Sequence, residues 1–305
     1  MLVYIKLLAA TMFWGGTFTA GRIVSRDIPP FSAAFLRFFI ATICLVYLVR
    51  KLEGRLPEIN SGQIIQVILL GLTGVFAYNV FFFTGLQTVE AGRAAVIVAT
   101  NPILIALAAA FLFKESLGIF KMIGIVLSVS GAILAITRGE PLHLLDQVVT
   151  VGDLAIAGCV LSWAAYSILG KYSMSRLSPH AAVTYSCIAG TLALFVPAMN
   201  EGLFSYIHAA PVLVWGCLIY LGYFGTVLGF TWYYQAVKDI GPSKASVFIN
   251  FVPLFAIAIG FVFLGESIDV TLIIGAFMVS SGVYLANKAG IKIRKSTDNS
   301  HKELV

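Results

Sequence analysis

Ten runs of roughly twenty apolar residues set the terms for this chain. They fall at about 3–24, 31–49, 63–86, 92–113, 118–137, 152–172, 179–198, 211–235, 242–264 and 269–288. A helix crossing a hydrocarbon core of about 30 Å needs about 20 such residues. A chain that is 59% hydrophobic and 11% charged cannot cover a water-facing surface of this size. The expected class is therefore an all-α integral membrane protein with ten transmembrane helices. Membrane β-barrels are built from shorter segments that alternate in polarity, and these runs are apolar on all sides. The first run starts almost at Met1 and continues past Trp14 to Val24, so it reads as a retained helix rather than a cleaved signal.

The basic residues orient the helices. With the N-terminus in the cytoplasm, 15 Lys and Arg fall on the inner side and four (Arg22, Arg26, Arg93 and Arg138) on the outer side, while Arg37 lies within a span. Both termini are then cytoplasmic, and the localisation that follows is a multi-pass protein of the cell membrane. The formal net charge of +6 is explained by these short loops and the tail, so nucleic acid is not an expected partner. The expected partners are the lipid bilayer and a small-molecule substrate. Cys44, Cys159, Cys187 and Cys217 all fall inside spans, and their spacing fits neither a zinc site nor a disulfide framework. His143, His180, His208 and His301 do not cluster, and neither a metal nor another cofactor is expected.

Sliding the chain on itself shows a duplication. At an offset of 149, Trp14-Gly15-Gly16-Thr17-Phe18 meets Trp163-Ala164-Ala165-Tyr166-Ser167, Arg22 meets Lys171 and Pro30 meets Pro179. At 151, Arg93 meets Lys244, Pro102 meets Pro253, Glu115 meets Glu266, and Gly124 and Gly131 meet Gly275 and Gly282. Residues 1–138 and 150–288 are read as two repeats, followed by a polar cytoplasmic tail at 289–305. Five spans per repeat is an odd number, so the second repeat enters the membrane from the opposite side. Inverted repeats of this kind recur in secondary transporters, with the substrate near mid-membrane at the repeat interface.

Ten spans, the five-plus-five duplication, an early Trp in each half and a Pro-containing fourth helix ending in Glu resemble the drug/metabolite transporter superfamily. The closer resemblance is to its EamA-type exporters. It is carried by Trp14 to Phe18, Pro30 with Arg37-Phe38, Asn101-Pro102 to Lys114-Glu115, and their second-half counterparts. The resemblance implies a central cavity lined mainly by the first, third, fourth, sixth, eighth and ninth helices. It also implies alternating-access export of amino acids or related small metabolites, by a protein that is not an enzyme. The alternatives are another solute class, such as drug-like compounds, sugars or nucleotide sugars, and a non-transport membrane protein.

Several residues are candidates for the site. Trp14, Tyr78, Asn79, Asn101, Trp163, Tyr166, Trp232, Tyr233 and Asn250 carry polar atoms well inside spans, where cavity lining gives them a partner. Core packing is the alternative for each. Pro102 and Pro253 read as paired hinges, because proline removes a helix hydrogen bond. Arg37 needs a partner in the membrane. It either holds a substrate carboxylate or acts as an anchor that reaches the outer surface or a loop carbonyl. Glu115 and Glu266 end helices, either as caps or as gate residues. No Asp or Glu stands near the middle of a span, which argues against proton coupling through an embedded acid. Small-residue rows at Gly124, Ser128 and Ala132 and at Ala276 and Ser280 suit close helix contact. That contact is internal or, as an alternative, forms the seam of a homodimer.

Overall fold

The computed structural model describes residues 2–113, 118–139, 150–173, 177–240 and 248–302. Among the described residues, ten apolar helical segments cross the molecule in chain order. They are α1 (Leu2–Asp27), α2 (Pro30–Glu53), α3 (Ser61–Leu86), α4 (Ala91–Val98 and Asn101–Phe113), α5 (Ile119–Ile136), α6 (Val151–Ser173), α7 (Pro179–Asn200), α8 (Val212–Ile219 running on through Tyr220–Leu228 and Gly229–Ile240), α9 (Phe248–Phe251 followed by Val252–Leu264) and α10 (Val270–Lys302). Their ends are written in the sequence. Pro30 and Pro179 occupy first-turn positions, where a missing N–H costs nothing. The Asn60 side chain accepts from the Gln63 N–H at 3.0 Å, and Gln63 Oε1 accepts from the Asn60 N–H at 2.8 Å. Gly265 closes α9 with φ +64°, a conformation that glycine adopts without strain. Beyond residue 288 the chain continues α10 as helix to Lys302, and no proline interrupts it.

Large apolar side chains such as Phe111, Leu192, Val212 and Phe263 are exposed, whereas Arg37, Asn79, Thr184 and Thr226 are buried. A bilayer covers the first group, and neighbouring helices must satisfy the second.

The two repeats are related as an inverted pair. In such a pair a residue on the two-fold axis touches its own counterpart. Thr42 of α2 and Thr191 of α7 stand 149 positions apart, and their hydroxyls hydrogen-bond at 3.1 Å. Away from the axis, contacts occur in crossed pairs. A Cβ added to Gly124 would meet the Gly282 carbonyl oxygen at 2.5 Å, and one added to Gly275 would meet that of Gly131 at 2.7 Å. Gly124 corresponds to Gly275 and Gly131 to Gly282, so these are one contact seen twice. The small-residue rows of α5 and α10 therefore pack against each other within the chain, with backbone on backbone.

Two features went unread in the sequence. Both α3 and α8 contain a π-helical stretch, Gly71–Ala77 and Tyr220–Leu228. Their signal is Gly71-x-x-Gly74 repeated as Gly222-x-x-Gly225 at the offset of 151. A Cβ on Gly71 would meet the Ser186 carbonyl at 2.8 Å, and one on Gly222 would meet the Arg37 carbonyl at 3.0 Å. The wider turns thus form where a helix from the other half comes too close for a side chain.

Candidate functional site

The breaks at the prolines come first, because they shape the centre. Pro102 and Pro253 are each the second residue of a helix. They begin new helices rather than kink continuous ones. In α4 the first segment ends at Val98, and the Thr100 hydroxyl caps back onto the Ile97 carbonyl at 2.7 Å. In α9 a 3₁₀ turn at Phe248–Phe251 precedes the α-helix. A proline in the first turn has no hydrogen bond to lose, so the sequence punctuates both helices at equivalent points near mid-membrane.

Around these breaks lies a cavity of about 610 Å³. Trp14, Tyr78, Asn101, Pro102, Trp163, Tyr233 and Asn250 line it, together with Arg37. Phe230 stands between the two repeat-related tryptophans, 5.7 Å from the Trp14 ring and 6.2 Å from the Trp163 ring. Trp14 is fixed by donating its indole N–H to the Gly225 carbonyl at 2.9 Å, inside the π-helical stretch of α8. Trp163 packs on Tyr78 and Tyr166 at 5.4 and 5.2 Å. Asn101 is buried, and its Oδ1 has no hydrogen-bond partner. The walls also include Lys121 of α5 and Val283 and Ala286 of α10, so more helices contribute than the six expected.

Not every candidate reaches this space. Asn79 and Tyr166 lie behind the wall, in a side pocket of about 40 Å³ that also touches Arg37. Trp232 packs against Phe13 at 5.6 Å and is not among the cavity residues. Pro253 is buried next to Val252, which lines the cavity. Glu115 lies outside the described residues.

Arg37 neither snorkels to the surface nor bonds a loop carbonyl. It is 7% exposed. Its Nη1 donates to Asn79 Oδ1 at 3.0 Å and its Nη2 to Thr226 Oγ1 at 3.5 Å. Both acceptors are themselves held by π-helical carbonyls. Asn79 Nδ2 donates to the Val75 carbonyl at 2.9 Å, and Thr226 Oγ1 to the Leu221 carbonyl at 3.1 Å.

One end of the bundle, marked by Arg22, carries a belt of ion pairs that pattern reading did not foresee. Arg22 Nε lies 3.1 Å from Glu266 Oε1, and Arg93 Nη2 lies 3.1 Å from Asp153 Oδ1. More exposed, Arg138 Nη2 and Glu90 Oε1 are 3.6 Å apart. Glu266 also accepts from the Ala91 and Gly92 N–H groups at 2.9 and 3.3 Å, capping α4 from the α9–α10 turn. It is thus both a cap and one half of an inter-repeat ion pair. None of these six charged residues lines the cavity. The cavity instead extends toward the opposite end, where Lys6 Nζ donates to Gln235 Oε1 at 3.0 Å.

The EamA-like transporter family matches residues 1–137 and 150–288, one match per repeat. The chain belongs to the EamA-like transporter family. It is a multi-pass membrane transporter and not an enzyme. Among its relatives is an uncharacterized transporter, YyaM, of Bacillus subtilis, 31% identical over 93% of both chains. Another, 25% identical over 95% of this chain and 94% of the relative, bears the name probable terminal-alkyne amino-acid exporter and comes from Streptantibioticus cattleyicolor. A solved crystal structure superposes with a TM-score of 0.63 at 19% identity, covering 95% of this chain and 98% of the other. That likeness concerns the fold alone.

Proposed function

We propose that this EamA-family transporter exports amino acids or related small metabolites across the cell membrane, by alternating access of its two repeats around the cavity. The observation that carries the reading is the central space itself. It lies at the repeat interface, is walled by counterpart residues of both halves (Trp14 and Trp163), and sits where α4 and α9 are broken. The distant relative named as an amino-acid exporter supports the solute class. The distribution of Lys and Arg supports a cytoplasmic Lys6 end and cytoplasmic termini. The cavity then extends toward the cytoplasm and is latched on the outside, which is the state an exporter loads.

The test is an untargeted comparison of secreted metabolites from cells with and without the gene, followed by flux of the leading candidate in liposomes. Trp14→Ala and Trp163→Ala should each lower that flux at least ~3-fold at equal membrane abundance, since each removes a stacking surface worth about 1 kcal/mol. Normal flux from both variants would sink the cavity assignment. Pro102→Ala should fold yet transport more slowly. An alanine at this position lets helix continue through Thr100 and stiffens α4 at its break. Flux equal to that of the unaltered chain would show that the break is not a moving part.

A further inference from the structure

We propose that the transported solute carries a carboxylate and that Arg37 is the group that receives it. This deepens the transport reading and rests on it. A guanidinium inside the membrane needs compensating charge, and the protein gives Arg37 only neutral neighbours. These include Asn79, Thr226, Tyr78, Cys187 and the ring faces of Phe38 and Phe82 at 5.2 and 5.7 Å. Among the described residues no carboxylate lies within ion-pair distance of it. The partly buried Arg22 and Arg93 do differently, since each faces a carboxylate at 3.1 Å. Burial alone therefore does not account for the missing anion at Arg37.

The cavity has the same bias. Among its described lining residues there is no Asp or Glu, while Arg37 brings a positive charge to its wall. Removed from bulk water, such a space favours a negative group over a positive one. A guanidinium that lacks an ion-pair partner matches a carboxylate in both charge and planar fork. One guanidinium held by two neutral side chains suits a single negative charge better than a phosphate dianion.

Symmetry separates this residue from the scaffold. Thr42 and Thr191, the glycine rows and the two tryptophans all obey the two-fold relation. Arg37 does not. Its counterpart is Ser186, whose hydroxyl donates to the Val183 carbonyl at 2.8 Å. A feature that builds the inverted repeat is needed in both halves, whereas one that binds an asymmetric solute is needed once. The rest of the solute then lies against the rings of Trp14, Trp163 and Phe230, where an apolar body or an ammonium group finds a favourable surface.

The experiment uses the purified full chain and three probes that share a phenyl group and differ in their charged groups: hydrocinnamate, L-phenylalanine and phenethylamine. Binding is read by tryptophan fluorescence and by thermal shift at neutral pH. Hydrocinnamate and L-phenylalanine should bind at least ~10-fold more tightly than phenethylamine, as expected for a desolvated charge-assisted pair. In Arg37→Gln that preference should fall below ~2-fold, and Arg37→Lys should keep part of it, having charge without the fork. Equal binding of acid and amine by the unaltered chain overturns the carboxylate assignment and leaves the transport reading standing. An undiminished preference in Arg37→Gln overturns the role of Arg37. Binding of none of the three probes counts against both this assignment and the cavity as a transport site. The comparison on the unaltered chain keeps the assignment testable even if a variant at position 37 fails to fold.

Discussion

Gly282→Leu should abolish the folded protein. A Cβ at this position would stand 2.5 Å from the Gly124 carbonyl oxygen, 2.6 Å from the Ser128 nitrogen and 2.9 Å from the Ser128 Cβ. Two of these three atoms are backbone, so no rotamer change relieves the clash and α5 must move away from α10. Overpacking in a tight core costs about 1–3 kcal/mol and occasionally more. Between membrane helices the loss is felt fully, because lipid is as apolar as the interface and close packing is a main source of association. The two-fold relation makes Gly131→Leu the equivalent change, with the Gly275 carbonyl at 2.8 Å, and it should be similarly damaging. Gly216→Leu in α8 is the control, since nothing lies within 4 Å of an added Cβ there. The check is the yield of monodisperse protein in detergent and its thermal midpoint. A normal melt for Gly282→Leu would mean that the α5–α10 contact is not as described.

Glu266→Gln should unlatch the Arg22 end. The Glu266 carboxylate faces Arg22 and caps two N–H groups of α4, with the two side chains 10% and 14% exposed. The amide retains size but loses the charge and one acceptor oxygen. Breaking a fully buried ion pair costs about 3–5 kcal/mol, and the residual exposure here reduces that to roughly 2 kcal/mol. A change of this size moves an open-to-closed ratio by more than ~10-fold. The measurement is maleimide labelling of Ala95→Cys, a cavity position, in a background whose native cysteines have been replaced. With Glu266 intact, label should enter from the Lys6 end alone. With Glu266→Gln it should enter from both. Arg22→Gln should behave alike, and the double variant should add little, because both changes remove the same pair. An unchanged labelling pattern would reduce the belt to a structural cap.

Much of the cavity wall could be read in the sequence, and the failures have a common cause. Trp14, Asn101, Trp163 and Asn250 stood out as polar groups at mid-span, and all four line the cavity. Trp232 stood out equally but packs on Phe13, while its neighbour Tyr233 lines the cavity. Successive residues of a helix point about 100° apart. Nothing in a span that is apolar on all sides says which of the two directions is inward. Tyr78 and Asn79 divide in the same way, one lining the cavity and the other behind its wall.

The number of spans follows from the residues alone, because the thickness of the bilayer sets a length that ten apolar runs meet. So does the inverted duplication, because counterpart residues recur at a nearly constant offset and five crossings must reverse direction. The arrangement of charge follows from packing instead. Arg22 and Glu266 are 244 positions apart and became partners through packing, while Arg37, equally conspicuous in the chain, was left with neutral neighbours. The reason is that Coulomb interactions depend on distance and on exclusion of water, and one-dimensional spacing encodes neither across helices from different repeats.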